Sequence, residues 1–178
     1  MLGKAKKGTT MDLFEAIEKR ASVRAFVPAT VSEADLLKMA DAGRRAPSGG
    51  NRQPLQFVLI RNKDTLKALE RVQACFGTAS AAVGIIADPS VSRWWLEDAA
   101  AAAENMFLAI QALGYASVWI EGTLLKEEEF AKKLLDIPQE KRFIILLPVG
   151  KAAQETPQAD RKPLAEVVFR ERYGKKSN

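Results

Sequence analysis

The residues best suited to chemistry lie between positions 46 and 54, where two prolines bracket a Ser-Gly-Gly turn. Pro47 and Pro54 stiffen the ends of this stretch, and Gly49 and Gly50 let backbone N–H groups come close to a ligand. The pattern predicts a loop that is stiff at its ends and open in its middle.

Three polar side chains of the same loop could recognise a ligand. Asn51 and Gln53 stand two residues apart, and each carries amide donors and a carbonyl acceptor that suit the edge of a planar heterocycle. Ser48 adds a hydroxyl. The same residues would also suit an ordinary connector between a helix and a strand, because connectors are rich in turn residues. Both interpretations remain open on composition alone.

A second polar cluster, Arg20, Ser22 and Arg24, follows a predicted helix that begins after the N-cap residue Asp12. Two guanidinium groups four residues apart, with a hydroxyl between them, could hold a phosphate through charge-assisted bonds. A solvated helix end is the alternative, since the helix macrodipole favours basic residues near a C-terminus.

Composition excludes several kinds of catalytic site. The chain of 178 residues contains no histidine and one cysteine, Cys75. Histidine-dependent triads, histidine-ligated zinc, cysteine-cluster metal sites and internal disulfides are therefore excluded. This composition favours a bound cofactor over a constellation of side chains as the carrier of any demanding reaction step.

The surrounding pattern predicts alternating helices and strands, and hence an α/β or α+β sandwich with helices on both sides of one sheet. No Gly-x-Gly-x-x-Gly motif follows a strand, and no Walker-type loop is present. The first predicted helix begins at Leu13 and ends where Arg20 follows. The other predicted helices cover residues 32–44, 64–73, 92–113, 127–135 and 163–173, and the predicted strands cover 55–60, 83–87, 116–120 and 143–147.

The longest predicted helix, residues 92–113, contains an alanine run from Ala99 to Ala103 and then a wrap of larger apolar residues. Such a helix is expected to be buried nearly all round, in the core or at a subunit interface. Gly114 is expected at its C′ position.

Five segments, taken in order, resemble the motifs of the nitroreductase family of flavoproteins, and together they span residues 11–169. These segments are Lys19-Arg20-Ala21-Ser22-Val23-Arg24-Ala25-Phe26, Pro47-Ser48-Gly49-Gly50-Asn51-Arg52-Gln53-Pro54, Glu97-Asp98-Ala99-Ala100-Ala101 with Asn105, Leu113 to Gly122, and Arg161-Lys162-Pro163-Leu164. The resemblance implies the nitroreductase fold, a largely antiparallel central sheet flanked by helices, and a homodimer with FMN at its interface.

The resemblance also implies roles for particular residues. Arg20, Ser22 and Arg24 match a clamp on the FMN phosphate and ribityl chain, and Arg161 matches a second phosphate contact. Pro47, Ser48, Gly49 and Asn51 match a loop that reaches the flavin of the partner subunit, with Gln53 a weaker match. Glu121 and Gly122 match a turn facing the redox-active ring nitrogen, although a plain turn at the end of a strand would look the same.

The activity implied is a two-electron transfer from NAD(P)H, by a ping-pong mechanism, to a nitroaromatic, a quinone or a similar small acceptor. Relatives with this fold that remove halogens or cleave flavin with oxygen supply an alternative, as does a flavin-binding protein without catalysis. Lysines that some members place near the flavin correspond here to about Cys75 and Ala159, so the flavin potential stays open. Arg71 is a candidate substitute.

The remaining expectations concern the whole chain. We expect a disordered basic tail over residues 1–10 and one domain over residues 11–178, a length suited to a single core. The net charge of +5 is spread along the chain, which argues against nucleic-acid binding. No apolar run approaches the roughly 20 residues needed to cross a membrane, and no signal peptide is evident, so a cytoplasmic location is expected.

Overall fold

A computed structural model describes residues 11–175 and shows an α+β fold, as predicted; the expected tail over residues 1–10 lies outside the described residues. The helices are α1 (Leu13–Lys19), α2 (Glu33–Arg44), α3 (Lys63–Ala68), α4 (Trp95–Ala112), α5 (Gly122–Lys126), α6 (Glu128–Leu134) and α7 (Leu164–Val167). The strands are β1 (Phe26–Val27), β2 (Leu55–Ile60), β3 (Ala81–Ala87), β4 (Arg142–Val149) and β5 (Lys151–Ala152).

The predicted antiparallel sheet is confirmed. Strand β3 lies between β2 and β4 and pairs antiparallel with both. Strands β1 and β5 form a separate antiparallel pair. Residues 116–120 were predicted as a strand, but they form only isolated bridges, including one between Ile120 and Leu146 of β4. They line the free side of β4 without forming a regular ladder.

The sheet separates two apolar cores, because successive residues of a strand point to opposite faces. On β3, Ala82 faces the core that contains Phe76 and Leu124, whereas Val83 faces the core that contains Met39 and Met106. Helices α2 and α4 therefore cover one face, and α5, α6 and the turns after α3 cover the other. This arrangement is the predicted sandwich.

Capping residues set where the first two helices begin, as their sequence indicates. A carboxylate oxygen of Asp12 accepts from the Phe14 N–H at the start of α1, and Ser32 Oγ accepts from the Asp35 N–H at the start of α2. These bonds satisfy backbone donors that a helix cannot satisfy internally. Helix α1 ends at Lys19, so Arg20, Ser22 and Arg24 follow the helix end as predicted.

Helix α4 differs from its prediction in two ways. It begins at Trp95 rather than at Ser92, and it is not apolar all round, because Glu97, Glu104 and Asn105 lie exposed on its outer face. Its inner face carries the buried alanines and Met106. Gly114 takes the left-handed conformation expected of a C′ residue, with φ +75°.

Two shorter predictions need correction, and one helix was missed. The acidic helix predicted over 127–135 is confirmed as α6, but the short α5 that precedes it was not predicted. The helix predicted over 64–73 ends at Ala68 and continues as a 3-10 turn. The closing helix predicted over 163–173 is only the four residues of α7. Within residues 11–175, no helix is both long enough and apolar enough to cross a membrane.

Candidate functional site

Four of the predicted site residues, Arg20, Ser22, Arg24 and Arg161, line one cleft of about 720 Å³. We call it the arginine cleft. The first three come from the segment after α1, and Arg161 comes from the extended segment after β5, 137 residues further along the chain. The structure thus brings together two segments that the sequence keeps far apart.

Gln158 holds these two segments together. Its side-chain amide donates to the carbonyl oxygens of Ile17 and Arg20, each at a distance of 3.0 Å. Both carbonyls belong to the last turn of α1 or the residue after it, where helix geometry leaves acceptors unsatisfied. Gln158 therefore caps α1 and places the chain near Arg161 beside Arg20.

Two contacts orient the guanidinium groups of the cleft. The guanidinium carbon of Arg20 lies 5.3 Å from the ring centroid of Phe107 on α4, a cation–π contact. Arg161 donates from Nη1 to the Ala159 carbonyl over 2.8 Å. Both contacts leave other N–H groups of each guanidinium free to bind a ligand.

The arginine cleft carries an unbalanced positive charge. Asp160 lines it too, but no carboxylate of the described residues forms an ion pair with Arg20, Arg24 or Arg161. Other arginines of the chain are paired: Arg44 and Arg45 with Asp41, Arg61 with Glu33, Arg71 with Glu127, and Arg142 with Glu128. Three unpaired guanidinium groups and a hydroxyl suit a phosphate.

The loop over residues 46–54 is fixed by a buried carboxylate. Asp98, 4% exposed, accepts from the Gly49 N–H over 2.8 Å through Oδ1 and from Ser92 Oγ over 3.0 Å through Oδ2. A Cβ on Gly49 would stand 2.4 Å from the indole of Trp94, so only glycine fits there. The loop is therefore held against the start of α4.

The middle of the loop has an unusual backbone. Gly50, Asn51 and Gln53 have φ values of 59°, 55° and 51°, in the left-handed region that residues other than glycine rarely adopt. Ser48 Oγ accepts from the Gln53 N–H over 3.0 Å and closes the turn. The side chains of Asn51 and Gln53 are exposed. Such strain persists where the surroundings impose it, often at binding sites.

The loop and the arginine cleft are separate in one chain. Pro47, Ser48 and Gln53 line a different cleft, of about 290 Å³, with Arg44 and Phe57. The loop is anchored to α4 at Asp98, whereas Arg20 packs against α4 at Phe107. These two positions of α4 are nine residues apart, which corresponds to about 13 Å along a helix. The structure therefore separates the predicted site residues of the loop from those of the arginine cleft.

The predicted turn at Glu121 and Gly122 lies at the start of α5. The Glu121 carboxylate accepts from the indole N–H of Trp119 over 2.9 Å. A Cβ on Gly122 would meet no described atom within 4 Å, so packing inside the chain does not require glycine there. The position is open to a group approaching from outside.

Some family members place lysines near the flavin, and the structure shows what occupies the two corresponding positions, Cys75 and Ala159. Cys75 is buried, and burial raises the pKa of its thiol to about 11, so it supplies no charge. Ala159 lines the arginine cleft. Arg71 is already engaged, with Glu127 at 2.7 Å and with the ring of Phe130 at 4.5 Å.

Sequence reasoning assigned no role to Asp98, Gln158 or Trp94. Asp98 was recognisable as a carboxylate among the alanines of a helix, where a buried acid needs partners. The role of Gln158 could not be read from the sequence, because its partners are backbone carbonyls of Ile17 and Arg20, which every residue type carries. Trp94 contacts Gly49 only through the tertiary fold.

Comparisons with known proteins agree with this architecture. The model of the family described as the nitroreductase family matches residues 17–85 and 72–151. A protein of Archaeoglobus fulgidus named NADH dehydrogenase/NAD(P)H nitroreductase is 32% identical over 174 residues, covering 91% of this chain and 99% of the relative. A protein of the same name from Methanothermobacter thermautotrophicus is 29% identical, covering 86% of this chain and 84% of the relative.

Solved structures share the fold. A nitroreductase from Desulfovibrio desulfuricans, determined in complex with FMN, superposes with a TM-score of 0.80 and 26% identity, covering 93% of this chain and 99% of that one.

Proposed function

The chain belongs to the nitroreductase family, and from this premise we propose that it is an FMN-dependent oxidoreductase that uses NAD(P)H. Its electron acceptor in this proposal is a nitroaromatic, a quinone or a similar small molecule. The observation that carries the proposal is the arginine cleft, which gathers a hydroxyl and three guanidinium groups from distant segments; no carboxylate of residues 11–175 forms an ion pair with these guanidinium groups.

The donors in the arginine cleft fit the phosphate of FMN. Arg20, Arg24 and Arg161 offer planar pairs of N–H groups, and Ser22 offers a hydroxyl. A phosphate ester of FMN carries close to two negative charges at neutral pH, so it would offset charge that the described carboxylates leave unbalanced. A dinucleotide flavin is less suited, because the chain has no Gly-x-Gly-x-x-Gly motif.

The other predicted site residues would hold the flavin ring. We propose that Pro47, Ser48, Gly49 and Asn51, with Gln53 at the edge of the loop, contact the ring system. Glu121 and Gly122 would approach it from the start of α5, where the absence of a Cβ on Gly122 leaves room. Because the loop and the arginine cleft are separate in one chain, one flavin would take its phosphate contacts from one subunit and the loop from the other.

A homodimer follows from this arrangement, and an exposed apolar face supports it. Leu13, Phe14 and Ile17 of α1 are 57%, 72% and 44% exposed. Beside them lies a cleft of about 370 Å³ between α1 and α4, lined largely by apolar residues such as Leu108. Contiguous exposed apolar surface of this kind marks interaction sites in soluble proteins.

FMN, when bound, supplies the two-electron chemistry. The chain's part is to fix the phosphate, hold the ring edges and leave one face open to donor and acceptor in turn. With no histidine available, the ring contacts come from backbone N–H groups and from the Asn51 and Gln53 amides. A single open face accounts for the ping-pong order. We also propose a cytoplasmic location, where a free thiol such as Cys75 is maintained.

The test begins with the chromophore of the purified protein. Released flavin should be FMN by chromatography, and the FMN-loaded protein should oxidise NADH or NADPH when a nitroaromatic or a quinone is supplied. Initial rates at several acceptor concentrations should give parallel double-reciprocal lines, as a ping-pong order requires. Release of FAD, or failure to bind any flavin after reconstitution, would overturn the proposal. Flavin binding without donor oxidation would indicate a different reaction on the same fold.

A further inference from the structure

A second pair of arginines converges on one aromatic ring outside the arginine cleft. The guanidinium carbons of Arg93 and Arg52 lie 4.2 Å and 5.3 Å from the ring centroid of Trp94. Both arginines are exposed and Trp94 is half-buried. We call these three residues the Trp94 platform.

The charge of the Trp94 platform is not balanced by any ion pair among the described residues. Neither Arg52 nor Arg93 forms an ion pair with a carboxylate of residues 11–175, in contrast to Arg44, Arg45 and Arg61. Asp98 and Glu97 are close in sequence, in the first turn of α4. Asp98 binds Gly49 and Ser92 instead, and Glu97 makes no ion pair with either arginine.

The platform is also held rigidly to the loop. Arg52 Nη1 donates to the Gly49 carbonyl at 3.1 Å, and the backbone N–H of Trp94 donates to Ser92 Oγ at 3.2 Å. Ser92 in turn donates to Asp98, which also accepts from the Gly49 N–H. Arg52, the Trp94 backbone and the loop therefore share one hydrogen-bonded frame, and Arg93 joins it through its contact with the indole ring. This arrangement reduces the ordering cost of binding a ligand.

The two guanidinium groups place two like charges on one indole, and a bound anion would offset that charge. Each guanidinium can still offer N–H groups in pairs, a geometry that matches phosphate oxygens. The indole orders both guanidinium groups through these cation–π contacts. Ordered guanidinium groups with paired N–H donors suit the phosphate groups of a nucleotide.

We infer that the Trp94 platform binds a phosphate group of the NAD(P)H donor and so contributes to donor specificity. This inference rests on the proposed function. In that proposal the arginine cleft holds the FMN phosphate, so the phosphates of the donor need a different partner. The platform borders the loop proposed to contact the flavin ring, where a donor bound at the open face would extend outward.

The experiment compares three donors that differ in phosphate content. NADPH carries the diphosphate and the 2′-phosphate, NADH carries the diphosphate alone, and 1-benzyl-1,4-dihydronicotinamide carries neither. KM and kcat are measured for FMN-loaded wild-type protein, Arg52→Ala and Arg93→Ala, with Arg61→Ala as the control for loss of an exposed arginine. Binding of NADP⁺ to the same FMN-loaded proteins is measured by calorimetry at low and high salt.

We expect Arg52→Ala and Arg93→Ala to raise KM for NADPH about tenfold with kcat unchanged, the signature of lost uniform binding. A rise for NADPH alone identifies the 2′-phosphate, and an equal rise for NADPH and NADH identifies the diphosphate. KM for the benzyl donor should not change. NADP⁺ affinity should fall in both variants, and the salt dependence of that affinity should weaken.

Two results would overturn the inference while leaving the proposed function intact. One is a KM for NADPH and NADH that shifts no more than in Arg61→Ala, and the other is an equal rise for the benzyl donor. If the FMN-loaded wild-type protein oxidises none of the three donors, the proposed function itself fails and this inference fails with it. Flavin content of each variant, read from its absorbance, separates loss of donor binding from loss of FMN.

Discussion

The backbone N–H of Gly49 donates to Oδ1 of Asp98 over 2.8 Å, and this bond joins the loop over residues 46–54 to the first turn of α4. The acceptor is a buried carboxylate, whose burial is costly unless it is hydrogen-bonded. The Gly49 N–H and the Ser92 hydroxyl provide those bonds. Asp98 is thus a structural anchor for a loop that otherwise lies exposed.

The first prediction concerns this anchor. Asp98→Ala should lower the free energy of unfolding by about 2–3 kcal/mol, because it leaves the Gly49 N–H and the Ser92 hydroxyl without their acceptor. Asp98→Asn should cost less, since its amide oxygen can still accept from Gly49. Glu97→Ala, which removes an exposed neighbour, is the control. Urea unfolding measures all three, and equal stability of Asp98→Ala and Glu97→Ala would contradict the anchor role.

The second prediction concerns the arginine cleft. Arg20→Ala, Arg24→Ala and Arg161→Ala should each weaken FMN binding by about 1.5–3 kcal/mol, or roughly ten- to a hundredfold, through loss of a charge-assisted phosphate contact. Arg61→Ala should retain wild-type affinity. Fluorescence titration of apoprotein with FMN gives the constants. Indistinguishable affinities across the four variants would place the phosphate elsewhere.

The third prediction separates a structural glycine from a binding one. Gly122→Ala should leave the stability of the flavin-free chain unchanged or slightly raised, because a Cβ there meets no described atom within 4 Å. The same variant should bind FMN at least about tenfold more weakly if the flavin approaches this turn. Lys126→Ala, at the other end of α5, is the control. Wild-type FMN affinity in Gly122→Ala would remove this turn from the site.

The fourth prediction tests whether two chains build each site. A chain with Arg20→Ala and Arg24→Ala is refolded with a chain carrying Asn51→Gly, a change that suits the φ of 55° at this position. Each mixed dimer would have one intact and one doubly damaged site, so up to about a quarter of all sites should regain FMN binding. Light scattering should show a dimer. A monomer that binds FMN tightly would refute the shared site.

The fifth prediction concerns acid stability. Lys141 donates to Asp88, and with hydrogen bonds from Ser90 it lowers the pKa of the Asp88 carboxyl from 3.8 to about 2. Because the folded pKa is depressed, the stability that this carboxylate contributes is present above about pH 4 and is lost as the pH falls towards 2. Asp88→Asn should therefore be less stable than wild type at pH 7.

The difference between wild type and Asp88→Asn should shrink as the pH falls from 4 to 2. Urea unfolding at a series of pH values measures it, and Glu140→Gln, an exposed neighbour of Lys141, is the control. If the difference in unfolding free energy between wild type and Asp88→Asn stays constant between pH 4 and pH 2, the bond from Lys141 to Asp88 does not contribute to stability as predicted.

Local sequence determined much of the fold because the forces involved act over a few residues. Asp12 and Ser32 carry their own capping oxygens, so the starts of α1 and α2 were predictable. Alternating and continuous apolar runs identified β2, β3 and β4. The boundaries of α4 and of the C-terminal helix were predicted less well, because packing decides where a helix ends.

Only the tertiary structure decided how the site is put together. The sequence identified Arg20 and Arg161 separately, but Gln158 brings them to one cleft by bonding to carbonyls 138 and 141 residues away. The sequence suggested glycine at residue 49 for close approach to a ligand, but the contact with the Trp94 indole that requires glycine there is visible only in the structure. Such contacts join segments distant in the chain, and their energy depends on geometry that local composition does not encode.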